Sequence, residues 1–397
     1  MKGLSKTLIA LFITMTLIEI GYGMVLALLP VYLADYLGIG IKYIGIIISM
    51  FSLSELIAKA PGGWLADRIG RKPVLLGGIG LITLSFFLIT LVQSPALFIP
   101  IVMLSGAGMA VTWPMTVAVI ADSVVQNQRA TSMGILGMVC LGGKGIGPAL
   151  GSMTISLTKI YESPFYLNTA LAALSFVIVW FAVQDTFQLK ISKQMVEVQV
   201  AGGGWISDLW RIICNNPLLL VLNGILFAQA LGMGTLVPII SLYANKILGI
   251  SIERIGTLLL GPVIIMASLT FFTGRLADKI GRSVPIKLGM LLLAISFGLF
   301  PLSHRWSFLL GVGIIYGLGY ALLMPAWTAL VTEQVPEKHR GIVLGGIGTM
   351  QGLGFTLGPL TGTYLWESLG PSAPFYFCSL ILSLGTVLAF RGIKGNS

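Results

Sequence analysis

Long apolar runs separated by short polar segments occupy almost the whole chain. The runs are about 20 residues or longer, the length that a helix needs to cross a bilayer, and they lack the alternation of barrel strands. Because the hydrocarbon offers backbone groups no water to bond with, only helices and closed barrels span it, and the runs therefore predict helices. We predict an all-α membrane protein with twelve transmembrane helices, at roughly residues 7–34, 43–66, 73–92, 96–121, 131–157, 165–184, 217–245, 254–277, 284–303, 307–331, 341–366 and 373–391.

One charged motif occurs twice, each time between the second and third spans of a half. Residues 62–73 read GGWLADRIGRKP, and residues 274–283 read GRLADKIGRS, at an offset of 211 positions (274 − 63). The same offset relates Pro114 to Pro325 and Pro148 to Pro359. Both halves run in the same direction, and parallel repeats of helical halves are typical of transporters. We predict two six-helix bundles, at residues 1–184 and 217–397, joined by a cytoplasmic linker at 185–216.

The composition indicates that the bilayer is the main solvent of this chain. Charged residues make up 10% of it and hydrophobic residues 56%, whereas a soluble domain is roughly 25% charged. The net charge of +10 does not indicate nucleic-acid binding, because the basic residues lie in short loops, as the positive-inside rule describes. With the N-terminus inside, 17 lysines and arginines face the cytoplasm and 5 face the other side. Both termini are therefore predicted to be cytoplasmic, in a multi-pass protein of the cell (plasma or inner) membrane.

Several other classes of protein are excluded by single features. The apolar run that follows Lys6 is too long for the core of a signal peptide, and we interpret it as the first span. The three cysteines lie far apart and the two histidines have no ligand cluster nearby, so neither a disulfide framework nor a metal site is predicted. No cofactor is expected, and no nucleotide-binding loop is present, so that transport would use a gradient. Within the linker, residues 205–211 suit either an interfacial amphipathic helix or a plain linker with an aromatic anchor.

The fifth span carries small residues at helical spacing, namely Gly143, Gly147, Pro148 and Gly151. Glycines at this spacing leave a smooth helix face on which another helix can pack closely. The proline removes one backbone hydrogen bond and bends the helix. We predict that this tight, bent helix lies at the central interface of a protein whose two halves move relative to each other. Ordinary membrane packing would account for any single glycine, but less easily for the whole pattern.

The charged motif and the glycine motif together resemble those of the major facilitator superfamily. Residues 63–72 are similar to the family's loop between its second and third helices, and residues 143–151 resemble the fifth-helix motif of its proton-coupled exporters. The resemblance covers nearly the whole chain and implies a secondary active transporter with alternating access. One position departs from it, since Val102 stands where exporters of this kind often carry an arginine of the proton relay. The residues expected to form a conformational gate on the cytoplasmic side are Gly63, Asp67, Arg68, Gly70, Arg71, Asp278 and Arg282.

Four charged residues lie inside predicted spans, all of them in the first half: Glu19, Glu55, Lys59 and Lys144. Their counterparts at the offset of 211 are uncharged. A charge at the bilayer centre costs at least about 2.5–3.5 kcal/mol unless it is paired or hydrated. We therefore predict proton coupling through Glu19 first and Glu55 second, with buried charges at Lys59 and Lys144. Lys59 could simply pair with Glu55 four residues away, and Lys144 could neutralise either acid or attract an anionic substrate.

These residues favour a secondary active transporter that exchanges protons for amphipathic small molecules, cationic or neutral, and exports them. The alternative is a proton-coupled flippase of a lipid-linked sugar or lysolipid, because residues 323–327 and 351–354 resemble the later helices of glycolipid flippases in the same superfamily. An intramembrane enzyme is disfavoured because no catalytic constellation lies in the spans, and a nutrient importer is disfavoured by the fifth-helix motif. The expected partners are the lipid bilayer, protons and a small amphipathic substrate, with the protein as a monomer. The candidates for lining the substrate cavity are Tyr22, Trp113, Asn223, Gln229, Tyr316, Tyr320, Trp327 and Gln351.

The predicted topology can be tested by labelling from one side of the membrane. Cysteines introduced at Gly40 and at Lys193 should react with an impermeant thiol reagent from opposite sides, because one position follows the first span and the other follows the sixth. Labelling of both positions from the same side would contradict the topology.

Overall fold

The structure is a computed structural model, and it describes residues 6–184, 216–334 and 340–393. Every regular element in these ranges is helical. The first half contains α1 (Lys6–Val31) with a π-helical turn at Tyr32–Tyr36, α2 (Ile41–Ile69), α3 (Arg71–Ile89), α4 (Pro95–Ser123), α5 (Gln126–Thr158) and α6 (Ser163–Ala182). The second half contains α7 (Pro217–Leu236), α8 (Ile239–Lys246), α9 (Ile252–Ile280), α10 (Ser283–Leu299) with a 3₁₀ turn at Phe300–Leu302, α11 (Trp306–Gln334), α12 (Arg340–Leu369) and α13 (Ala373–Gly392).

The helices occupy the twelve predicted spans, with α7 and α8 together forming the seventh. Among the described residues, ten helices are long and apolar enough to cross a membrane, and an eleventh span, in α9, is bent by 50°. The predicted fold class is therefore confirmed, and most helix ends lie within a few residues of the predicted ones. The linker region 205–211, for which two interpretations were open, lies outside the described residues.

Two compact units divide the chain, and their boundaries differ from the boundaries of the sequence halves. The first unit comprises Met1–Glu197 together with Ala244–Leu260, and the second comprises Val198–Tyr243 and Gly261–Ser397. Within the first unit, Lys246 Nζ lies 3.3 Å from Asp35 Oδ1. The end of α8 and the start of α9 thus belong to the first unit, although they come from the second half of the sequence.

The packing order of helices is the same in both units. In the first unit α1 packs against α5 and α6, and α3 packs against α4 and α6. In the second unit α7 packs against α12 and α13, and α10 packs against α11 and α13. Each of these pairs in the second unit is the counterpart of a pair in the first, so the sequence repeat is also a repeat of helix packing.

Glycines of α5 lie directly against α1. A Cβ atom added at Gly143 would lie 2.9 Å from the Thr16 carbonyl oxygen, and one added at Gly147 would overlap the Ile20 carbonyl oxygen. Residues larger than glycine would therefore force the two helices apart. The counterparts on α12 make the same kind of contact with α7, since a Cβ at Gly354 would lie 2.8 Å from the Leu231 amide nitrogen.

The charged motif is mostly helical, and a single glycine makes each of its turns. Gly70 joins α2 to α3 with φ of 99°, and Gly281 joins α9 to α10 with φ of 87°. Side chains rarely adopt this left-handed backbone region, so glycine is required at both turns. The Gly70 amide donates to the Ala66 carbonyl and thereby caps α2. Asp67 and Arg68 lie in the last turn of α2, and Arg71 begins α3.

A leucine at Gly147 tests the contact between α1 and α5. Gly147→Leu should lower the free energy of unfolding by about 1–3 kcal/mol, because the added side chain overpacks the seam. Gly137→Leu is the matched control on the same helix, since nothing lies within 4 Å of a Cβ at Gly137. Thermal unfolding in detergent measures both variants, and equal melting temperatures would contradict the tight contact.

Candidate functional site

A buried carboxylate of α1 faces a lysine of α5. Glu19 Oε2 lies 3.4 Å from Lys144 Nζ, and the side chain of Glu19 is only 3% exposed whereas that of Lys144 is 43% exposed. Oε2 itself has no hydrogen-bond partner of suitable geometry within the described part of the chain. The acid thus depends on one lysine for its counter-charge in a region where water does not reach it.

Close backbone packing brings these two residues together. A Cβ added at Gly143 would lie 2.9 Å from the Glu19 Cβ, and one added at Gly23 would overlap the Lys144 carbonyl oxygen. Glycine on each helix therefore removes the side chains that would separate Glu19 from Lys144. The glycine motif and the membrane-embedded charges, which the sequence presents as separate features, form one site.

Aromatic and thiol groups surround the ion pair. Lys144 Nζ lies 5.2 Å from the ring centroid of Tyr22, within the range of a cation–π interaction. The ring centroids of Tyr22 and Phe51 are 5.8 Å apart. The Cys140 thiol, one helical turn before Lys144, is buried close to the Glu19 side chain. The surroundings therefore offer aromatic surface to an apolar or cationic molecule.

The second acid, Glu55, pairs within its own helix. Glu55 Oε1 lies 3.0 Å from Lys59 Nζ, and the two side chains are 30% and 44% exposed. The protein therefore encloses Glu55 less completely than Glu19. This is the i,i+4 pairing that the sequence allows. A charged carboxylate therefore costs less free energy at Glu55 than at Glu19.

The sequence predicts buried charges at Lys59 and Lys144, and the protein itself leaves 44% and 43% of these two side chains uncovered. Both lysine side chains are nearly half exposed, and only their acidic partners are buried to a larger extent. The physical reason is the length of the lysine side chain, which carries the ammonium group away from the helix surface while its methylene groups stay packed.

The charged motif contains an ion pair that joins α3 to the end of α4. Arg71 forms a short ion pair with Asp122. The same guanidinium nitrogen donates to the Ala118 carbonyl at 2.7 Å. A cation at the C-terminal end of a helix is favoured by the helix dipole, so Arg71 acts both as a partner of Asp122 and as a cap of α4.

The second copy of the motif repeats this arrangement. Arg282 pairs with Glu333 at 3.1 Å and with Asp278 four residues earlier. The hydrogen bonds that Arg282 donates to Asp278 and to Glu333 raise the pKa of its guanidinium, which stays charged. Asp122 and Glu333 are themselves 211 positions apart (333 − 122), so the acid belongs to the repeat as much as the arginine does.

Some of the predicted cavity residues have structural contacts within the second unit. The Trp327 indole donates to the Leu222 carbonyl at 3.1 Å, and the Tyr316 hydroxyl to Met233 Sδ at 3.3 Å. Asn223 and Gln229 are buried, and each has a side-chain oxygen without a hydrogen-bond partner among the described residues. The remaining candidates are partly or largely exposed: Tyr22, Trp113, Tyr320 and Gln351.

Sequence reasoning missed several charged residues that the structure brings into contact. Asp122 and Glu333 could have been found, because an acidic residue occurs at both positions of the repeat. Asp35 and Lys246 also differ by 211 positions (246 − 35), but their opposite charges hide the relation. No sequence signal connects Cys140 with Glu19, because that contact depends on the angle at which α5 packs on α1.

Comparisons with known proteins agree with this architecture. The family model of the Major Facilitator Superfamily matches residues 11–230 and 222–395. Over 328 residues the chain is 24% identical to the quinolone resistance protein NorA of Staphylococcus aureus (strain MSSA476), covering 82% of this chain and 81% of that protein. It is 23% identical to multidrug resistance protein 2 of Bacillus subtilis (strain 168) over 381 residues, covering 95% and 93% of the two chains.

Solved structures share the fold at low sequence identity. The crystal structure of the nucleoside transporter NupG superimposes with a TM-score of 0.77 at 16% identity, covering 98% of both chains. The human organic anion transporter MFSD10 (TETRAN) gives a TM-score of 0.68 at 18% identity, covering 97% of this chain and 99% of that one. These similarities support the two-bundle helical fold.

The pairing of Arg71 can be tested by a double-mutant cycle. Asp122→Asn should lower the free energy of unfolding by about 0.2–1 kcal/mol, as expected for a partly exposed ion pair. Arg71→Gln should cost more, because it also removes the contact with the Ala118 carbonyl. Melting temperatures of the single and double variants give the coupling energy between Arg71 and Asp122. Asp67→Asn is the control within the same motif, and equal coupling of Arg71 to Asp67 would contradict the assigned pair.

Proposed function

Because the chain belongs to the Major Facilitator Superfamily, we propose that it is a proton-coupled antiporter that exports amphipathic small molecules. The family makes it a membrane transporter and not an enzyme. The observation that carries proton coupling is the buried carboxylate of Glu19, which is 3% exposed and is paired with Lys144 at 3.4 Å. We propose Glu19 as the main site of proton exchange and Glu55 as an accessory acid.

The burial of Glu19 is what would couple proton movement to substrate movement. A carboxylate that water does not reach is costly when charged and cheap when protonated, so that its proton affinity depends on how the surroundings are hydrated. If the site opens alternately to the two sides of the membrane, Glu19 takes up a proton on one side and releases it on the other. When Glu19 is charged, it attracts a cationic substrate. When Glu19 is protonated, the positive charge of Lys144 is no longer offset, and it repels the same substrate. Proton and substrate then exclude each other, which is exchange by linkage.

The direction of transport and the breadth of substrates are supported by the relatives. Two of them are named for resistance to quinolones and to multiple drugs, which is the phenotype of export. In this chain, Tyr22 and Phe51 place aromatic rings next to the ion pair, and such surfaces accept varied amphipathic molecules. We propose that Tyr22, Trp113, Tyr320 and Gln351 contribute to substrate contact, and that Asn223, Gln229, Tyr316 and Trp327 support the helices behind them.

The two copies of the charged motif are proposed to act as the cytoplasmic gate. In each copy an arginine at the start of one helix pairs with a carboxylate at the end of the next helix. That carboxylate is partly exposed. Partly exposed ion pairs can be exchanged at small cost, so such contacts suit an element that must open and close. We propose further that both termini are cytoplasmic and that the protein acts as a monomer in the cell membrane.

The alternative of a proton-coupled lipid flippase is favoured by one observation. The side chains of Lys59 and Lys144 are more exposed than those of the acids that they pair with. An exposed ammonium group binds phosphate, which the headgroup of a lysolipid or a lipid-linked sugar carries. The same two acids would then couple protons to lipid movement.

Replacement of the buried acid tests the proposed antiport. Glu19→Gln should abolish the transport of ethidium, an amphipathic cation, that an imposed pH gradient drives in proteoliposomes, while leaving downhill ethidium exchange partly intact. Glu55→Gln is the matched control and should keep most of the gradient-driven flux, because Glu55 is less buried than Glu19. Full gradient-driven transport by both variants would refute coupling through these acids. If the wild type moves a fluorescent lysolipid but not ethidium, the flippase alternative replaces the antiporter.

A further inference from the structure

The third and sixth helices of each unit pack against each other and carry basic residues but no acidic ones. These helices are α3 and α6 in the first unit, and α10 and α13 in the second. They contain no aspartate or glutamate, and their lysines and arginines are Arg71, Lys72, Lys287 and Arg391. All four lie in the first two turns of α3 or α10 or in the last turn of α13. These helix pairs therefore present positive charge at one end, and this charge favours an anionic partner.

In the first unit, Lys72 of α3 reaches the end of α6. Its ammonium group donates to the Trp180 carbonyl oxygen at 2.8 Å, and carbonyl groups in the last turn of a helix have no donor within the helix. The Trp180 side chain is 55% exposed and stacks on Phe176, with ring centroids 6.1 Å apart. An ammonium group has three N–H donors, and this bond uses one of them. A cation and an exposed aromatic side chain thus come together at the end of α6.

The second unit brings a lysine to the corresponding aromatic residue. In the sixth helices the offset of the repeat is 210 (374 − 164), because residues 164–166 and 374–376 both read PFY. Phe390 therefore corresponds to Trp180 (390 − 180). Lys287 Nζ lies 5.3 Å from the ring centroid of Phe390, which is 58% exposed. Each unit thus places one lysine of its third helix beside an exposed aromatic residue of its sixth helix.

The second unit separates this lysine from the capping of the helix. The counterpart of Lys72 is Ser283 (283 − 72), whose hydroxyl donates to the Ile393 carbonyl at 3.3 Å and so closes the end of α13. The counterpart of Lys287 is Leu76 (287 − 76), one helical turn beyond Lys72. The lysine therefore lies beside the aromatic residue even where a serine already caps the helix, and capping alone does not explain its presence.

We propose that each unit binds an anionic phospholipid at this place, with the lipid phosphate on Lys72 or Lys287 and an acyl chain on Trp180 or Phe390. Lysine binds phosphate as a compact charge, aromatic residues lie at the level of the headgroups, and basic sites between membrane helices bind anionic headgroups. Among the described residues, no ion pair joins either lysine to an acid. A zwitterionic lipid fits less well, because its own cation offsets the phosphate.

Native mass spectrometry of the purified protein tests both sites, whether or not the protein is an antiporter. With dioleoyl phosphatidylglycerol we expect two retained lipid molecules per protein, and fewer with phosphatidylcholine of the same chains. Lys72→Gln and Lys287→Gln should each weaken the retention of one molecule about five-fold, which corresponds to about 1 kcal/mol per lysine near an anionic surface. Lys159→Gln is the matched control, since Lys159 is an exposed lysine in the connection between α5 and α6, and it should retain both molecules.

Melting temperatures in detergent separate a lipid site from a helix cap. Phosphatidylglycerol should raise the melting temperature of the wild type, because a ligand that binds only the folded protein stabilises it. The double variant Lys72→Gln/Lys287→Gln should lose this increment. Ser283→Ala removes a cap alone, so it should lower the melting temperature but keep the increment. Lys287→Gln leaves both caps intact and tests the second site even if Lys72→Gln does not fold.

Retention of both phosphatidylglycerol molecules by Lys287→Gln would overturn the proposal, as would equal retention of phosphatidylcholine by the wild type. Equal stabilisation by inorganic phosphate would identify a site for free anions and would overturn the assignment to a lipid. A loss in Lys159→Gln as large as that in Lys287→Gln would show that the overall charge holds the lipid, and would also overturn it.

Discussion

The close contact between α1 and α5 decides where the charges of this protein meet. Glycines on both helices let the backbones approach until the carbonyl oxygen of Ile20 leaves no room for a side chain at Gly147. At that separation Glu19 and Lys144 face each other across the seam. A charge on either helix alone would be costly in hydrocarbon, and the contact lets each offset the other. The same packing constraint thus builds the bundle and creates its polar site.

The second unit uses the same seam without the charges. Gly354 and Gly358 of α12 lie against α7 as their counterparts of α5 lie against α1. The positions that correspond to Glu19 and Lys144 are Ala230 and Phe355. Close helix packing is therefore a property of the repeat, whereas the ionisable site is a property of the first half. A duplicated fold can carry different chemistry in its halves because the backbone contacts that maintain it do not depend on those side chains.

Exposure separates the two acids more clearly than their positions in the sequence do. Both are glutamates in apolar helices, and both have a lysine within 3.4 Å. Glu19 is enclosed by α1 and α5, so its charge is sensitive to any change in its single counter-charge. Glu55 is 30% exposed and is less enclosed by the protein. Sensitivity of this kind is what a transporter needs from a proton site, because the site must respond when its surroundings change.

Much of the fold could be predicted from the sequence, because the hydrophobic length of a span and the repeat of a motif are properties of the linear chain. The twelve spans, the parallel duplication and the family follow from these properties. The helix ends differ by a few residues, as at α2, which continues to Ile69 and ends only where Gly70 adopts a left-handed conformation. The types of residue that make up the site could also be predicted from the sequence. The tertiary structure alone decided that Lys144 pairs with Glu19, and that Arg71 pairs with Asp122. Those partners lie 125 (144 − 19) and 51 (122 − 71) positions apart in the sequence, and whether such residues meet depends on how the helices rotate and cross, which no local pattern encodes.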